Sequence, residues 1–346
     1  MKRTVKVLSI LMALVLMLSM AACAGDTTTT TPDTTPTETQ VKNTLADNEV
    51  MNIYTLKGPT GMGMAQMIAD EADEEDKDRN FVIAAAPEDV SAAIINGDAD
   101  IAACPVNLAS VLYNKTGGRV ELLALNTLGV TYILTNGTEV NTIEDLRGKT
   151  IISAGQGATP EYILTKLLTD SGLEIGKDVF VEFKSEHSDV ASLLAAGEAQ
   201  VALLPEPNVT ATSLQNADVK VALDLTKEWE AKYGTKLVQG CIIGRKDFVD
   251  AYAGEVDEFL EEYKESVDFI NTASDEAAQM IVDAGIIPKA PLAKKAIPNS
   301  YITFITGEEM KNLAVENLQV LFAANPASIG GNLPNADFYY NYTYVD

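Results

Sequence analysis

The sequence predicts an α/β protein of two lobes with mostly parallel sheets, joined by a hinge that the chain crosses twice. Three observations carry this. The segment Asp89–Asn107 (DVSAAIINGDADIAACPVN) returns at Asp189–Pro207 (DVASLLAAGEAQVALLPEP) at an offset of 100 residues, with six of 19 positions identical. Each copy reads as a short helix, a turn at Gly97 or Gly197, and an apolar strand stopped by Pro105 or Pro205. Upstream, each copy is preceded by a strand running into a Gly-containing loop and a helix, and such βα alternation builds parallel sheets.

The elements follow in order. Met51–Leu56 is a strand entering Gly58-Pro59-Thr60-Gly61, followed by a helix over Met62–Ala72. Thr150–Ala154 enters Gly155-Gln156-Gly157-Ala158-Thr159, with Thr159 expected as the N-cap of a helix starting at Pro160. Phe81–Ala86 and Val179–Phe183 supply the next strands, and Asp247–Asn271 reads as one long amphipathic helix. The β-type run Gly129–Leu134 carries the chain to the second lobe and Lys236–Ile243 brings it back. The expected division is 49–133 plus 240–346 for lobe one and 134–239 for lobe two.

The N-terminus indicates a compartment. Lys2, Arg3 and Lys6 precede an apolar run, Val7–Met20, of 14 residues. That has the layout of a secretory signal and is shorter than the roughly 20 residues a membrane span needs. Residues 1–22 are therefore expected to be a signal peptide. Asp26–Gln40 is almost entirely Thr, Pro, Asp and Glu and offers nothing to bury, so 23–48 is expected to be a disordered tether. About 25 flexible residues give a reach of about 25–30 Å.

Composition excludes some functions. Without Lys2, Arg3 and Lys6, 22 basic residues face 50 acidic ones, a net charge of −28. This argues against a nucleic-acid partner, since phosphate binding rests on clustered Lys and Arg. One His, no CxxC and no HExxH give no basis for a metal site, and no cofactor is expected. Cys104 and Cys241 lie in apolar stretches and read as buried free thiols, with a disulfide permitted by the compartment. Gly148-Lys149-Thr150 imitates the end of a P-loop, but position 143 is Ile and the triplet precedes a strand, so it reads as a turn. The acidic run Asp70–Asp78 lacks the spacing of a calcium loop and reads as a solvated helix end.

The runs LKGPTGMG, INGDADIAACPVN, TIEDLRGKTI and AAGEAQVALLPEPN, in this order, resemble solute-binding proteins of ATP-binding-cassette (ABC) importers. The branch that looks most similar is the nitrate, sulfonate, taurine and thiamine-precursor group, of the type II periplasmic-binding fold. Met20-Ala21-Ala22 before Cys23 similarly resembles a bacterial lipobox. The resemblances imply a monomeric lipoprotein, anchored through Cys23 to the outer face of the cytoplasmic membrane, that passes a small solute to ABC permease subunits.

In open α/β sheets ligands sit beyond the carboxyl ends of the strands. The candidate ligand-binding residues are accordingly Lys57, Gly58, Thr60, Gly61, Met62, Asn107, Gln156, Gly157, Thr159 and Glu206. Gly-rich turns and helix N-termini bring backbone N–H groups to anionic or carbonyl-bearing ligands. Thr60, Asn107, Gln156 and Thr159 offer uncharged hydrogen-bonding groups. Lys57 either pairs with a sulfonate or carboxylate or is simply solvated. Glu206, which replaces Val106 of the repeat, argues for a ligand bearing an amino or ring N–H group if it faces the cleft. Met62 and Met64 read as cleft wall or core, and Trp229 as rim or core. His187, at a helix entry, is expected to be exposed and has no partner for catalysis. No catalytic residue is assigned. The alternatives are a surface adhesin or sensory receptor on the same fold and, less favoured, an enzyme of thiamine-pyrimidine or menaquinone-precursor synthesis.

Overall fold

The computed structural model describes residues 44–46, 49–74 and 77–342. Cys23, the signal segment and nearly all of the tether lie outside the described residues.

Lobe one begins with β1 (Met51–Leu56), α1 (Pro59–Met62), α2 (Ala65–Asp73), β2 (Arg79–Ala84), α3 (Pro87–Asn96), β3 (Ile101–Pro105), α4 (Val106–Thr116) and β4 (Val120–Leu128). The chain crosses at Gly129–Val130 into β5 (Thr131–Thr135), followed by β6 (Thr150–Ala154), α5 (Thr159–Asp170), β7 (Phe180–Lys184) and α6 (His187–Ala196). Lobe two is completed by β8 (Val201–Pro205), α7 (Asn208–Gln215), β9 (Lys220–Asp224) and α8 (Leu225–Tyr233). The chain returns through β10 (Val238–Arg245), α9 (Lys246–Ala251), α10 (Ala253–Ile270), α11 (Asp275–Asp283) and α12 (Ala290–Ala296). A 3₁₀ turn (Ile297–Asn299), β11 (Ile302–Ile305) and α13 (Gly307–Ala324) follow.

The strand orders are β11-β4-β10-β3-β1-β2 and β7-β6-β8-β5-β9. Setting β11 aside, the two sheets are equivalent strand for strand, and the repeat seen in the sequence is the repeat of the fold. They are mixed rather than mostly parallel. β1, β2 and β3 run parallel, as do β6, β7 and β8, but β10 is antiparallel to β3 and β4, and β5 to β8 and β9. The cause is the hinge. A strand that enters a sheet directly from the other lobe has no crossover helix to reverse it, and so it runs antiparallel to its neighbours. Each lobe thus receives one strand from the crossing.

Alternation along the strands divides the cores. Ile242 joins one face of the first sheet, packed under α2, α10 and α11, while its neighbours Cys241 and Ile243 join the other face, under α3, α4 and α13. Lobe two has the same sandwich, with Leu203 on one face and Ala202 and Leu204 on the other. Cys104 and Cys241 stand opposite each other in register, both free and buried. Gly97 and Gly197, at φ 83° and 75°, end the equivalent helices α3 and α6 in the left-handed conformation that glycine adopts without strain.

Two expected helices are each broken in two. Met62–Ala72 divides at Gly63–Met64, between α1 and α2, where the backbone at Gly63 passes so close to the Tyr263 hydroxyl that no side chain would fit. Asp247–Asn271 breaks at Tyr252, whose φ of −128° is not helical. Thr159 is the first residue of α5, with Ala158 as the extended flanking residue, so it is not the N-cap. Gly61 is held against the Leu56 carbonyl, where a Cβ would overlap it. Gly61→Ala is therefore expected to destabilise the protein by about 1–3 kcal/mol through overpacking, measured as a lower midpoint in denaturant unfolding.

Candidate ligand-binding cleft

β1 pairs with β3, and β6 with β8. The sequence-predicted loops are therefore adjacent in twos: Lys57–Met62 beside Pro105–Asn107 in lobe one, and Gly155–Thr159 beside Pro205–Asn208 in lobe two. The two pairs meet across the cleft, since a Cβ on Gly58 would lie 3.8 Å from Cδ of Pro207. Gly58 is buried at φ 79°, ψ −157°, a conformation essentially reserved for glycine.

The candidate side chains are not equally placed. Lys57, Gln156 and Gly157 are exposed, Thr60 and Asn107 half-buried, and Thr159 buried. The Thr60 carbonyl accepts a bond from Asn126 Nδ2 at 3.0 Å. Asn107 Nδ2 donates to the Ser328 carbonyl at 3.3 Å, so one of its donors ties down the C-terminal turn of its own lobe. The Gly157 N–H donates to Glu161, which places a carboxylate where an anionic ligand would otherwise be received. Met62 and Met64 are both fully buried in the lobe-one core; unbranched and polarizable, they fill it and do not form a cleft wall. Trp229, 2 % exposed, belongs to the lobe-two core and stacks on nothing in the cleft.

Glu206 is 2 % exposed. Its carboxylate accepts from Thr210 N at 3.1 Å and Thr210 Oγ1 at 2.8 Å, and from the Asn299 amide. It lies under the N-terminus of α7 and the 3₁₀ turn of the C-terminal segment, neither in open solvent nor at an open cleft surface. Burial pushes its pKa up to about 7, against the opposing pull of the bonds from Thr210 and Asn299. The same C-terminal segment makes two further bonds to lobe two. Tyr132 Oη donates to the Asn299 carbonyl at 2.7 Å, and Tyr301 Oη donates to Asp224 Oδ2 at 2.6 Å. Burial raises both phenols, so they remain protonated donors. Asn299 and Tyr301 could not be found by reading the loops, because they lie more than 90 residues beyond Glu206. Thr210, in the first turn of α7 and four residues after Glu206, is close enough in the chain for a local signal to point to it.

His187, expected to be exposed, is half-buried beside Gly155, and desolvation holds its pKa below the usual imidazole value. Its Nδ1 has no protein partner, and no carboxylate orients the ring as a catalytic base requires. Among the described residues no cluster of His, Cys, Asp or Glu is placed to hold a metal ion, and no helix is long and apolar enough to cross a membrane. A groove of about 650 Å³ lies away from the four loops; the paired strand ends, and not this volume, define the candidate cleft.

Two equivalent mixed sheets that exchange a strand and face each other through the carboxyl ends of their strands form the two-lobed fold of extracytoplasmic solute-binding proteins. Residues 64–232 match the family model described as the phosphonate periplasmic substrate-binding protein of ABC transporters. The expected resemblance to solute-binding proteins of ABC importers thus holds. Such proteins bind small solutes for import and are not enzymes. No curated protein sequence matches the chain. Among solved structures, an ABC transporter protein from Parabacteroides distasonis is similar with a TM-score of 0.74 and 20 % identity, over 86 % of this chain and 100 % of that one. The periplasmic aliphatic sulphonate-binding protein SsuA of Escherichia coli follows at 0.68 and 16 %, over 86 % and 94 %. The periplasmic nitrate-binding protein NrtA of Synechocystis PCC 6803 gives 0.56 and 13 %, over 83 % of both chains.

Proposed function

We propose that this chain is the substrate-binding lipoprotein of an ABC importer. It captures a small solute between its lobes at the four loops and delivers it to membrane permease subunits. The observation that carries the reading is the apposition of the Gly58 loop and Pro207 across the cleft, which lets one ligand touch both lobes. Residues 1–22 act as the signal peptide, Cys23 carries the lipid, and 23–48 form the tether that leaves a monomer free to reach its permease. No cofactor takes part.

The ligand class follows from the loops. They contain no arginine, and Glu161 places a carboxylate on the Gly157 N–H of the lobe-two loop. A small heteroaromatic or amino-bearing compound therefore suits the cleft better than the sulfonate, nitrate or phosphonate anions associated with its relatives. Lys57 is the one cation available to an anionic group in these loops. A thermal-shift panel of sulfonates, phosphonates, nitrate, pyrimidines, thiamine and amino acids tests this. A ligand at 100 times its Kd adds about 2.7 kcal/mol, and the account expects the hit among the amino-bearing or heteroaromatic compounds. Stabilisation by simple sulfonates or phosphonates alone contradicts the ligand class while leaving solute capture intact.

A further inference from the structure

Cys104 on β3 and Cys241 on β10 are opposite each other in register in an antiparallel pair. Both side chains enter the same core, under α3, α4 and α13, and neither is exposed. Directly opposed residues of such a pair have Cα atoms about 4.5–5.5 Å apart, inside the roughly 4.4–6.8 Å that a disulfide spans. The thiols are in contact. Cys241 Sγ donates to the Cys104 carbonyl at 3.4 Å and also meets the Cys104 thiol.

The internal repeat gives the comparison. The equivalent pair in lobe two is Tyr132 on β5 opposite Leu204 on β8, both buried in one core. Lobe one differs at both facing positions, and each carries the one residue type that can bond covalently to the other. An apolar core can be filled without any such match. In an oxidising compartment two thiols held together in this way are the precursor of a bond.

We infer that Cys104 and Cys241 close a structural disulfide in the exported protein, tying the root of the Pro105–Asn107 cleft loop to the strand that returns from the hinge. This rests on the export proposed for residues 1–22. The bond forms while the chain folds, because the finished core seals both thiols and burial pushes the Cys241 thiol well above the usual thiol range. The oxidant is the disulfide of an extracytoplasmic dithiol oxidase. One cysteine thiolate attacks it, forming a mixed disulfide and releasing one oxidase sulfur. The other cysteine attacks the sulfur of its own chain in that mixed disulfide, so the Cys104–Cys241 bond forms as the mixed bond breaks. The oxidase leaves as a dithiol, carrying the two electrons and two protons. The closed loop joins residues 137 apart and takes in the whole of lobe two, a strong restriction of the unfolded chain.

The test produces the full chain in a bacterium that carries such an oxidase and lyses the cells into denaturant with N-ethylmaleimide. Intact mass and peptide mapping then read signal cleavage and thiol state together. The expected product lacks residues 1–22, takes up no maleimide at Cys104 or Cys241, and yields a peptide joining the two that reduction separates. A cleaved chain with maleimide on both cysteines would overturn the disulfide alone. An uncleaved chain alkylated at all three cysteines would overturn the export and the disulfide with it. Protein reduced in denaturant and refolded with reductant present should melt about 5–15 °C below the oxidised form, while the same treatment leaves Cys104→Ala unchanged. Equal melting temperatures of the two parent forms would overturn the structural role of the bond.

Discussion

At pH 8 the Glu206→Gln variant is expected to be more stable than the parent protein. Burial raises the Glu206 carboxyl to about 7 from an ordinary value of 4.5. A carboxyl raised on folding makes the folded state bind its proton more tightly than the unfolded state does. There is no cost below about pH 4.5, where both states are protonated. Between about 4.5 and 7 stability falls as the pH rises, and above about 7 the full difference, about 3 kcal/mol, is lost. Glutamine keeps the size of the side chain and carries no charge, so it removes this term and should raise the melting temperature at pH 8 by about 5–10 °C. His187 acts in the opposite sense. Its pKa is lowered on folding, so its contribution is lost as the pH falls below the ordinary imidazole value. The two slopes overlap below the ordinary imidazole value, and only the difference between parent and Glu206→Gln isolates the carboxylate. Melting curves of both from pH 4 to 9 should converge in acid, separate between about pH 4.5 and 7 and stay a constant distance apart above that. Parallel curves would mean that Glu206 is not desolvated in the folded protein.

Gly58→Val is expected to weaken solute binding by about 10–100-fold. Gly58 sits at a backbone conformation that costs other residues about 1–3 kcal/mol, and its Cβ direction points at Pro207 across the cleft, 3.8 Å away. Alanine fits that gap; the extra methyl groups of valine do not. Affinity depends on how much of the protein can reach the closed arrangement, so a substitution that holds the loops apart lowers it in proportion. The alanine variant carries the backbone strain without the obstruction and should keep its affinity within about threefold. Equal losses in the alanine and valine variants, by calorimetric titration, would show strain rather than blocked closure.

The sequence made the architecture legible where a signal was local or repeated. The 100-residue repeat identified the paired βαβ units, and Gly97 and Gly197 marked equivalent helix ends. The four loops could be named because each lies between an apolar strand and a helix start. What stayed hidden depends on distant chain. The antiparallel runs of β5 and β10 are consequences of the crossings, and an apolar strand reads the same in either direction. The tight packing that keeps a side chain off Gly63 comes from Tyr263, 200 residues away. Met62 reads as cleft wall or core until its neighbours in the lobe-one core are known. Glu206 stood out as a departure from the repeat, yet its surroundings, Asn299 with Tyr132 and Tyr301 nearby, come from three separate segments.

Hydrogen–deuterium exchange of the protein with and without the compound that stabilises it most in the thermal-shift panel tests the central claim most directly. Capture between the lobes predicts simultaneous protection of Lys57–Met62 and Pro105–Asn107 in lobe one and of Gly155–Thr159 and Pro205–Asn208 in lobe two. Protection confined to one lobe, or to α5, α8 and α13 around the separate groove, would contradict solute capture at the four loops.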